Sequence, residues 1–230
     1  MTSSAKHALF QTLKQAEENL QTAIEAAPLS PKEWSSHSKP SLSNRHYTAL
    51  ERLENLTSHL QTQSAEVLHL KNKEEIKPTL STLLEDANKQ DDQATLYHGE
   101  NPFISAFSLN NVVKTKLYKE ELDVGKRAPD VFCALSTAIA AASETGTLFL
   151  TASQANPTAL NFVSNWHIVL LNQADIFHSY EQAYEHCLNE SKIHPQTINM
   201  ISGPSRTADI EQTLTLGAHG PIKLTVIIYE

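Results

Sequence analysis

Apolar side chains recur at helical spacing in two segments near the start of the chain. Residues 5–27 have this three-to-four residue period, typical of an amphipathic helix, and residues 47–63 repeat it through Leu50, Leu53, Leu56 and Leu60. Between them, residues 28–45 are rich in Ser and Pro and lack periodicity, which indicates a linker. We therefore predict an N-terminal helical arm with its linker, residues 1–45, and one domain, residues 46–230.

Beyond residue 63, short apolar runs alternate with amphipathic stretches. The pattern predicts strands at 65–70, 94–98, 131–135, 146–151, 167–172, 197–202 and 223–230. It predicts helices at 72–89, with Asn72 and Glu75 spaced as a cap, and at 137–142, 179–190 and 208–216. Residues 100–128 are compatible with a helix or a surface loop. Such alternation with near-continuous apolar strands favours an α/β fold, a mostly parallel sheet with flanking helices.

Composition narrows the class of protein. The 230 residues are 40% hydrophobic and 19% charged, which is enough to bury a core. No apolar run approaches the ~18 residues of a membrane helix, and the N-terminus lacks a signal-peptide core, so we expect a soluble cytoplasmic protein without a membrane span. The only cysteines are Cys133 and Cys187, too few for a four-cysteine iron–sulfur cluster. We therefore expect no cofactor in this chain.

Charge further limits the partners. The net charge of -8, from 18 basic and 26 acidic residues, disfavours a nucleic-acid surface because such surfaces neutralise many phosphates. After Arg127 the basic residues are Lys192, Arg206 and Lys223. Few cationic side chains are therefore available to bind an anion in this half of the chain. The histidine spacing matches no common ligand pattern, and a metal site is not expected.

The segment from residue 197 to 221 is the strongest candidate for a site. A strand ends at Ser202, Gly203 and Pro204 turn the chain, and Ser205 or Thr207 can cap a helix with Asp209 in its first turn. A strand, turn and helix N-terminus at the carboxyl edge of a parallel sheet bind anions, and Arg206 lies in this turn. The alternative is a well-capped turn in which Arg206 pairs with an acid.

Three other residues are candidates for chemistry. Glu144, in a turn with two threonines, is a general base or nucleophile if burial raises its pKa, and otherwise a carboxylate that caps the turn. His219 lies in a third turn, between Gly217 and Gly220, where a histidine is often only exposed to solvent. His167 opens a strand, a position more typical of a hydrogen-bonded core residue than of a catalyst.

Three sequence blocks carry a family resemblance: SGPSRTADIEQTLTLGAHGP, ETGTLFL and NPTALNFVSNWHIVLLNQADIF. Together they make the chain resemble the LUD-domain proteins, the lactate utilisation protein C family, over residues 131–230, with a weaker likeness back to residue 47. One departure is that the family commonly has two prolines before the strand histidine, where this chain has Asn165 and Trp166.

The resemblance implies an α/β core similar to the sugar-phosphate isomerase and CoA-transferase group. It also implies a role in oxidising L-lactate to pyruvate, beside two partner proteins of which at least one carries iron–sulfur clusters. By matching to the family's motifs, the resemblance implies that Glu144 is the catalytic residue. The positions carried over as ligand-binding are Thr145, Gly146, His167, Ser202, Gly203, Pro204, Ser205, Arg206, Thr207, Asp209, His219 and Gly220.

Three hypotheses about function follow. The leading one is an accessory subunit of a lactate-oxidising system, in which Arg206 and the amides of residues 205–207 hold a small anion. A second is an autonomous CoA-transferase-like or isomerase-like enzyme that uses Glu144, and a third is a purely structural module that docks a partner through its N-terminal helix. If the strands at 146–151, 167–172 and 197–202 are parallel neighbours, the turns at 143–146 and 202–207 need not lie at the same edge of the sheet, so whether they share one pocket is left open.

Overall fold

The computed structural model describes residues 47–90, 94–118, 131–190, 197–208, 214–216 and 220–230. The predicted N-terminal arm and the candidate site residues Asp209 and His219 lie outside these ranges, so they stay predictions. No helix within the described ranges is long and apolar enough to span a membrane.

The elements follow the alternation that the apolar pattern predicts. The helices are α1 (Ala49–Thr62), α2 (Ile76–Gln90), α3 (Pro102–Ser105), α4 (Leu160–Val163) and α5 (Tyr180–Glu190). The strands are β1 (Glu66–Leu70), β2 (Thr95–His98), β3 (Lys114–Leu117), β4 (Val131–Thr137), β5 (Ala140–Ala142), β6 (Thr147–Thr151), β7 (Ser164–Asn172), β8 (Ile176–Phe177), β9 (Ile198–Ile201), β10 (Arg206–Ala208), β11 (Leu214–Leu216) and β12 (Lys223–Tyr229).

Six of these strands form the main sheet, and every pairing in it is parallel. The order is β1-β12-β7-β4-β2-β3, so the last strand of the chain lies between the first strand and β7. This confirms the predicted mostly parallel α/β fold. Parallel sheets need cover on both faces, which is why β7 and β12 are nearly continuous apolar runs.

Alternate side chains of the central strands point to two separate cores. Ile168 and Leu170 of β7 pack with α2, through Ile76, Leu80 and Leu84. Val169 and Leu171, one residue out of phase, pack on the other face with Leu56 and Leu60 of α1 and with Leu148 and Leu150 of β6. The period of two along one strand therefore places α1 and α2 on opposite faces of the main sheet.

A second sheet of four strands, in the order β8-β5-β6-β9, packs beside α1 and contains the first corrected prediction. Residues 137–142 were predicted as a short helix because alanine favours helices. They are instead the end of β4 and strand β5, whose three alanines are fully buried. Ala140 and Ala142 pack against Ala183 and Cys187 of α5, in a buried cluster that also contains Phe149 of β6.

The predicted helix at 208–216 is the second error. Ala208 ends β10, and Leu214, Thr215 and Leu216 form β11, which pairs with β10 in antiparallel register. The alternation of leucine and threonine in this segment has the period of a strand, and cross-strand pairing satisfies its backbone groups. Because Ala208 belongs to a strand, the predicted helix does not begin there. Residues 209–213 lie outside the described ranges, and the ligand-binding role of Ser205 and Thr207 stays a prediction.

Two helical segments begin at hydrogen-bonded caps, and the second of these caps was predicted from the sequence. Thr48 and Glu51 form a capping box at the start of α1, with hydrogen bonds of 2.8 and 3.1 Å. Asn72 accepts a hydrogen bond from the backbone of Glu75, 3.2 Å, ahead of α2. The ambiguous stretch 100–128 contains α3 and strand β3 in its described part, residues 100–118.

Candidate functional site

The two candidate turns meet through a chain of three hydroxyl groups. The Thr147 Oγ1 atom lies 2.8 Å from Thr145 Oγ1 and 3.0 Å from Ser202 Oγ. They meet because β6 and β9 are antiparallel, with Leu148 opposite Ile201, so that the start of one strand lies beside the end of the other. The two turns thus lie at one edge of the second sheet, whereas parallel neighbours would have separated them.

Two glycines hold both turns against the end of α1. Gly146 has a φ of +66°, and a Cβ added to it would lie 2.5 Å from His59 Cβ. A Cβ on Gly203 would lie 2.8 Å from Gln63 Cβ. Both distances are too short for any larger residue, so glycine is required for this close approach. We call residues 145–147 and 202–206, together with residues 59–64 at the end of α1, the turn junction.

Arg206 lies exposed at the rim of the turn junction, and its Nη2 atom donates to the hydroxyl of Ser64. Among the described residues, the partner of this guanidinium is therefore a hydroxyl, whereas the nearby acids Asp209 and Glu211 lie outside the described ranges. The planar guanidinium carries five N–H donors, of which the contact with Ser64 uses one. This exposed cation is the most direct anion-binding group in the described part of the junction.

One of the backbone N–H groups that were predicted to bind an anion near Arg206 already has a hydrogen-bond partner. The Ser205 N–H donates to the Pro221 carbonyl, 2.8 Å, so this amide is already used. Pro221 and Gly220 lead into β12, and the Ser205 Cβ lies 3.3 Å from where a Gly220 Cβ would be. The turn therefore lies by the entrance to a parallel strand, and not at the carboxyl edge where it was predicted. Thr207 follows in β10, opposite Thr215.

The other described cation of the C-terminal half is engaged elsewhere. Lys223 lies 3.1 Å from the Glu66 carboxylate and 4.3 Å from the centre of the Trp166 ring. Lys192 lies outside the described residues. Of the two cations that the structure describes after residue 127, Lys223 contacts an acid and Arg206 contacts a neutral hydroxyl.

Glu144 adjoins the junction, but its carboxylate is directed to α5. The Oε1 atom accepts a 2.8 Å hydrogen bond from the backbone N–H of Tyr180, and the Glu144 N–H donates to the His178 carbonyl, 3.1 Å. The partial positive charge at a helix N-terminus favours a carboxylate there. This geometry is that of a helix cap, and it supports the structural interpretation of Glu144.

His167 is a core residue. It is fully buried in β7, and its Nε2 atom lies 3.0 Å from Ser136 Oγ, whereas Nδ1 has no hydrogen-bond partner among the described residues. Burial lowers the pKa of His167 from 6.5 to about 4, because the charged imidazolium loses its hydration. No recorded contact of its ring joins it to the turn junction.

Both cysteines are free and buried in hydrophobic cores. Cys133 is buried in the core beneath α2, and Cys187 is buried between α5 and the second sheet. Burial raises the pKa of both thiols, to about 11 for Cys187. Over the part of the chain that the structure describes, no group of three or more His, Cys, Asp or Glu side chains could hold a metal ion.

Sequence reasoning missed the contribution of α1. His59, Gln63 and Ser64 were not candidates, since they are about 80 to 140 residues from the turns and belong to an ordinary amphipathic helix. The sequence nevertheless has one unusual feature at the end of that helix. Helices often end on a glycine, and the chain has none at this point.

The fold and the turn junction define an α/β protein with a six-stranded parallel sheet and a candidate anion site beside it. A family model described as "LUD domain" matches residues 53–229. The chain therefore belongs to the LUD domain family.

Curated relatives match part of this region. The chain is 35% identical over 86 residues to a lactate utilization protein C from Anoxybacillus flavithermus, covering 37% of this chain and 38% of the relative. It is 30% identical over 114 residues to a lactate utilization protein C from Geobacillus sp., covering 48% and 44%. It is 32% identical over 112 residues to the uncharacterised protein NMB1437 of Neisseria meningitidis, covering 48% of each. The match thus spans less than half the length of these relatives.

A solved structure has the same fold. The crystal structure of a DUF162 family protein from Deinococcus radiodurans aligns with a TM-score of 0.62 at 18% identity, covering 80% of this chain and all of that one. At this identity the likeness concerns the fold alone.

Proposed function

We propose that this chain acts in lactate utilisation as an accessory subunit that binds a small carboxylate at the turn junction. Its relatives named lactate utilization protein C support the link to lactate. The main observation in support of the binding site concerns Arg206. Its side chain is exposed at the rim of the turn junction and donates a hydrogen bond to the neutral hydroxyl of Ser64.

Arg206 and the hydroxyl groups of the turn junction together suit a small hydroxy acid or keto acid. A guanidinium forms strong, charge-assisted hydrogen bonds with carboxylates. The hydroxyl groups of Thr145, Thr147 and Ser202 both donate and accept, so the exposed Thr145 end of their chain suits the oxygen on the neighbouring carbon. L-lactate and pyruvate both have this combination of groups.

Electron transfer in this proposal belongs to partner proteins. Oxidising L-lactate to pyruvate releases two electrons and two protons, which need an acceptor. The sequence has two cysteines, and both are buried in separate cores, so its thiols do not supply the four ligands of an iron–sulfur cluster. We therefore propose iron–sulfur proteins as partners, in the cytoplasm.

The test compares anion binding by three chains. Binding of L-lactate and of pyruvate is measured by isothermal titration calorimetry for the unchanged chain, Arg206→Ala and Lys77→Ala. Lys77→Ala removes the same charge from an exposed position on α2, which packs on the opposite face of the main sheet from α1. Loss of a charge-assisted hydrogen bond costs about 1.5–3 kcal/mol, so Arg206→Ala should weaken binding about tenfold or more. Equal affinities in all three chains would refute the site.

The subunit role is tested separately. The tagged chain is purified anaerobically from cells that express its neighbouring genes, and the visible spectrum and L-lactate oxidation of the product are recorded. Co-purification of cysteine-rich proteins with iron–sulfur absorbance is expected. A chain that arrives alone and colourless contradicts the proposed partnership.

A further inference from the structure

We propose that Ser64 is a positioning residue for Arg206, held in a backbone conformation that favours glycine so that its hydroxyl can orient the guanidinium. This inference rests on the proposed anion site at the turn junction. It adds to that site a residue 142 positions away in the sequence from Arg206.

Ser64 occupies the glycine position of a helix C-terminal motif. The Ala65 N–H donates to the Leu60 carbonyl, 2.9 Å, and the Ser64 N–H donates to the Gln61 carbonyl, 2.8 Å. These two hydrogen bonds define a Schellman motif, in which the residue after the cap adopts a left-handed conformation and is usually glycine. Ser64 has a φ of +66°, in the left-handed region that side chains with a Cβ disfavour.

The hydroxyl is what a glycine at this position would lack. Glycine would keep both backbone hydrogen bonds of the motif and relieve the strain. It would leave Arg206 without the Ser64 acceptor, and the guanidinium would sample more rotamers before a ligand binds. Fixing a long side chain in its bound orientation improves affinity because less conformational entropy is lost on binding.

Tertiary packing keeps the hydroxyl in place. Gly203 lies against Gln63 and Gly146 lies against His59, so both turns contact the last turn of α1. The end of the helix therefore has a defined position relative to β10, where Arg206 begins the strand. Strain retained at a position fixed from two sides is typical of functional residues.

The chain contains a matched control. Ser108 is the other described non-glycine residue with a positive φ, +51°, and its side chain makes no capping hydrogen bond. It precedes a short helical turn at residues 109–111, far in sequence from the junction. Ser108→Gly relieves comparable backbone strain without affecting Arg206.

The experiment measures L-lactate affinity and the midpoint of urea unfolding for the full chain. Ser64→Gly should raise the midpoint and weaken L-lactate binding by about threefold to tenfold, the effect expected for one hydrogen bond. Ser64→Ala keeps the strain and loses the hydroxyl, so it should weaken binding similarly without raising the midpoint. Ser108→Gly should raise the midpoint and leave affinity unchanged. Ser64→Asn, which tolerates the left-handed region and retains an acceptor, should restore most of the binding.

The combination of Ser64→Gly with Arg206→Ala separates the two proposals. If Ser64 acts through Arg206, the double variant binds L-lactate as Arg206→Ala does, with no further loss. If Arg206→Ala weakens binding and Ser64→Gly does not, the positioning role is refuted and the anion site stands. If the unchanged chain does not bind L-lactate, or Arg206→Ala binds it equally well, the proposed site fails and this inference fails with it.

Discussion

The indole N–H of Trp166 donates a 2.9 Å hydrogen bond to the hydroxyl of Thr225, across the neighbouring strands β7 and β12. The Thr225 hydroxyl in turn donates to the Glu66 carboxylate, 2.9 Å, which also contacts Lys223. The hydrogen bond of Trp166 links it into the core and joins β7 to β12 and β1.

We expect Thr225→Val to lower the free energy of unfolding by about 1–3 kcal/mol, because the Trp166 indole N–H would be left buried without an acceptor. Urea unfolding followed by tryptophan fluorescence measures this change. Thr82→Val makes the same replacement on an exposed position of α2 and should have little effect. A Thr225→Val variant as stable as Thr82→Val would contradict the assigned hydrogen bond.

Glu144 should contribute to stability through the N-terminus of α5. Glu144→Ala removes the acceptor of the Tyr180 N–H and should cost about 0.5–2 kcal/mol, in the range of a lost helix cap. Glu144→Gln retains an acceptor and should cost less, since only the interaction of the charge with the helix dipole is lost. Thermal unfolding of both variants checks this order. Loss of an enzymatic activity in Glu144→Gln, with stability unchanged, would instead favour the hypothesis of an autonomous enzyme.

The close approach of Gly146 to His59 predicts a severe effect of adding a single methyl group. Gly146→Ala combines a positive φ with a Cβ contact of 2.5 Å, so we expect it to lower unfolding free energy by more than about 2 kcal/mol. Gly220→Ala is the control, because its Cβ would meet Ser205 Cβ at 3.3 Å, a contact that a small shift relieves. If both variants unfold at the same urea concentration, the turn does not lie against α1.

His167 should make stability depend on pH between about 4 and 6.5. Its pKa is about 4 in the folded protein against 6.5 for the ordinary side chain, so within this range the unfolded chain binds a proton that the folded chain does not. Stability therefore rises with pH through this window, by about 2–3 kcal/mol in total for this group.

Urea unfolding at several pH values tests this dependence. His167→Gln should show a shallower rise of stability from pH 4 to 6.5 than the unchanged chain. His69→Gln, at an exposed position, should retain the steep rise. Parallel pH profiles for the unchanged chain and His167→Gln would show that His167 is protonated inside the folded core.

Much of the fold was predictable because local pattern and burial agree. The strands β2, β7 and β12 and the helices α1, α2 and α5 each have one dominant hydrophobic period, and each lies close to its predicted position. The buried face that the period marks is the face that packs. The failures are at residues 137–142 and 208–216, where alanine propensity and an apparent helix start competed with strand pairing to distant segments.

Within the candidate site, sequence alone determined which chemistry was available: two hydroxyl-rich turns, two glycines and few cations after residue 127. Tertiary structure decided how they meet, because the antiparallel pairing of β6 with β9 brings Thr147 to Ser202. It also decided that Arg206 faces Ser64, a residue that the periodic pattern of the sequence does not connect to the turns. The physical reason is that composition and period report each residue's own environment, whereas a contact between distant segments depends on the pairing of strands and the close packing of layers.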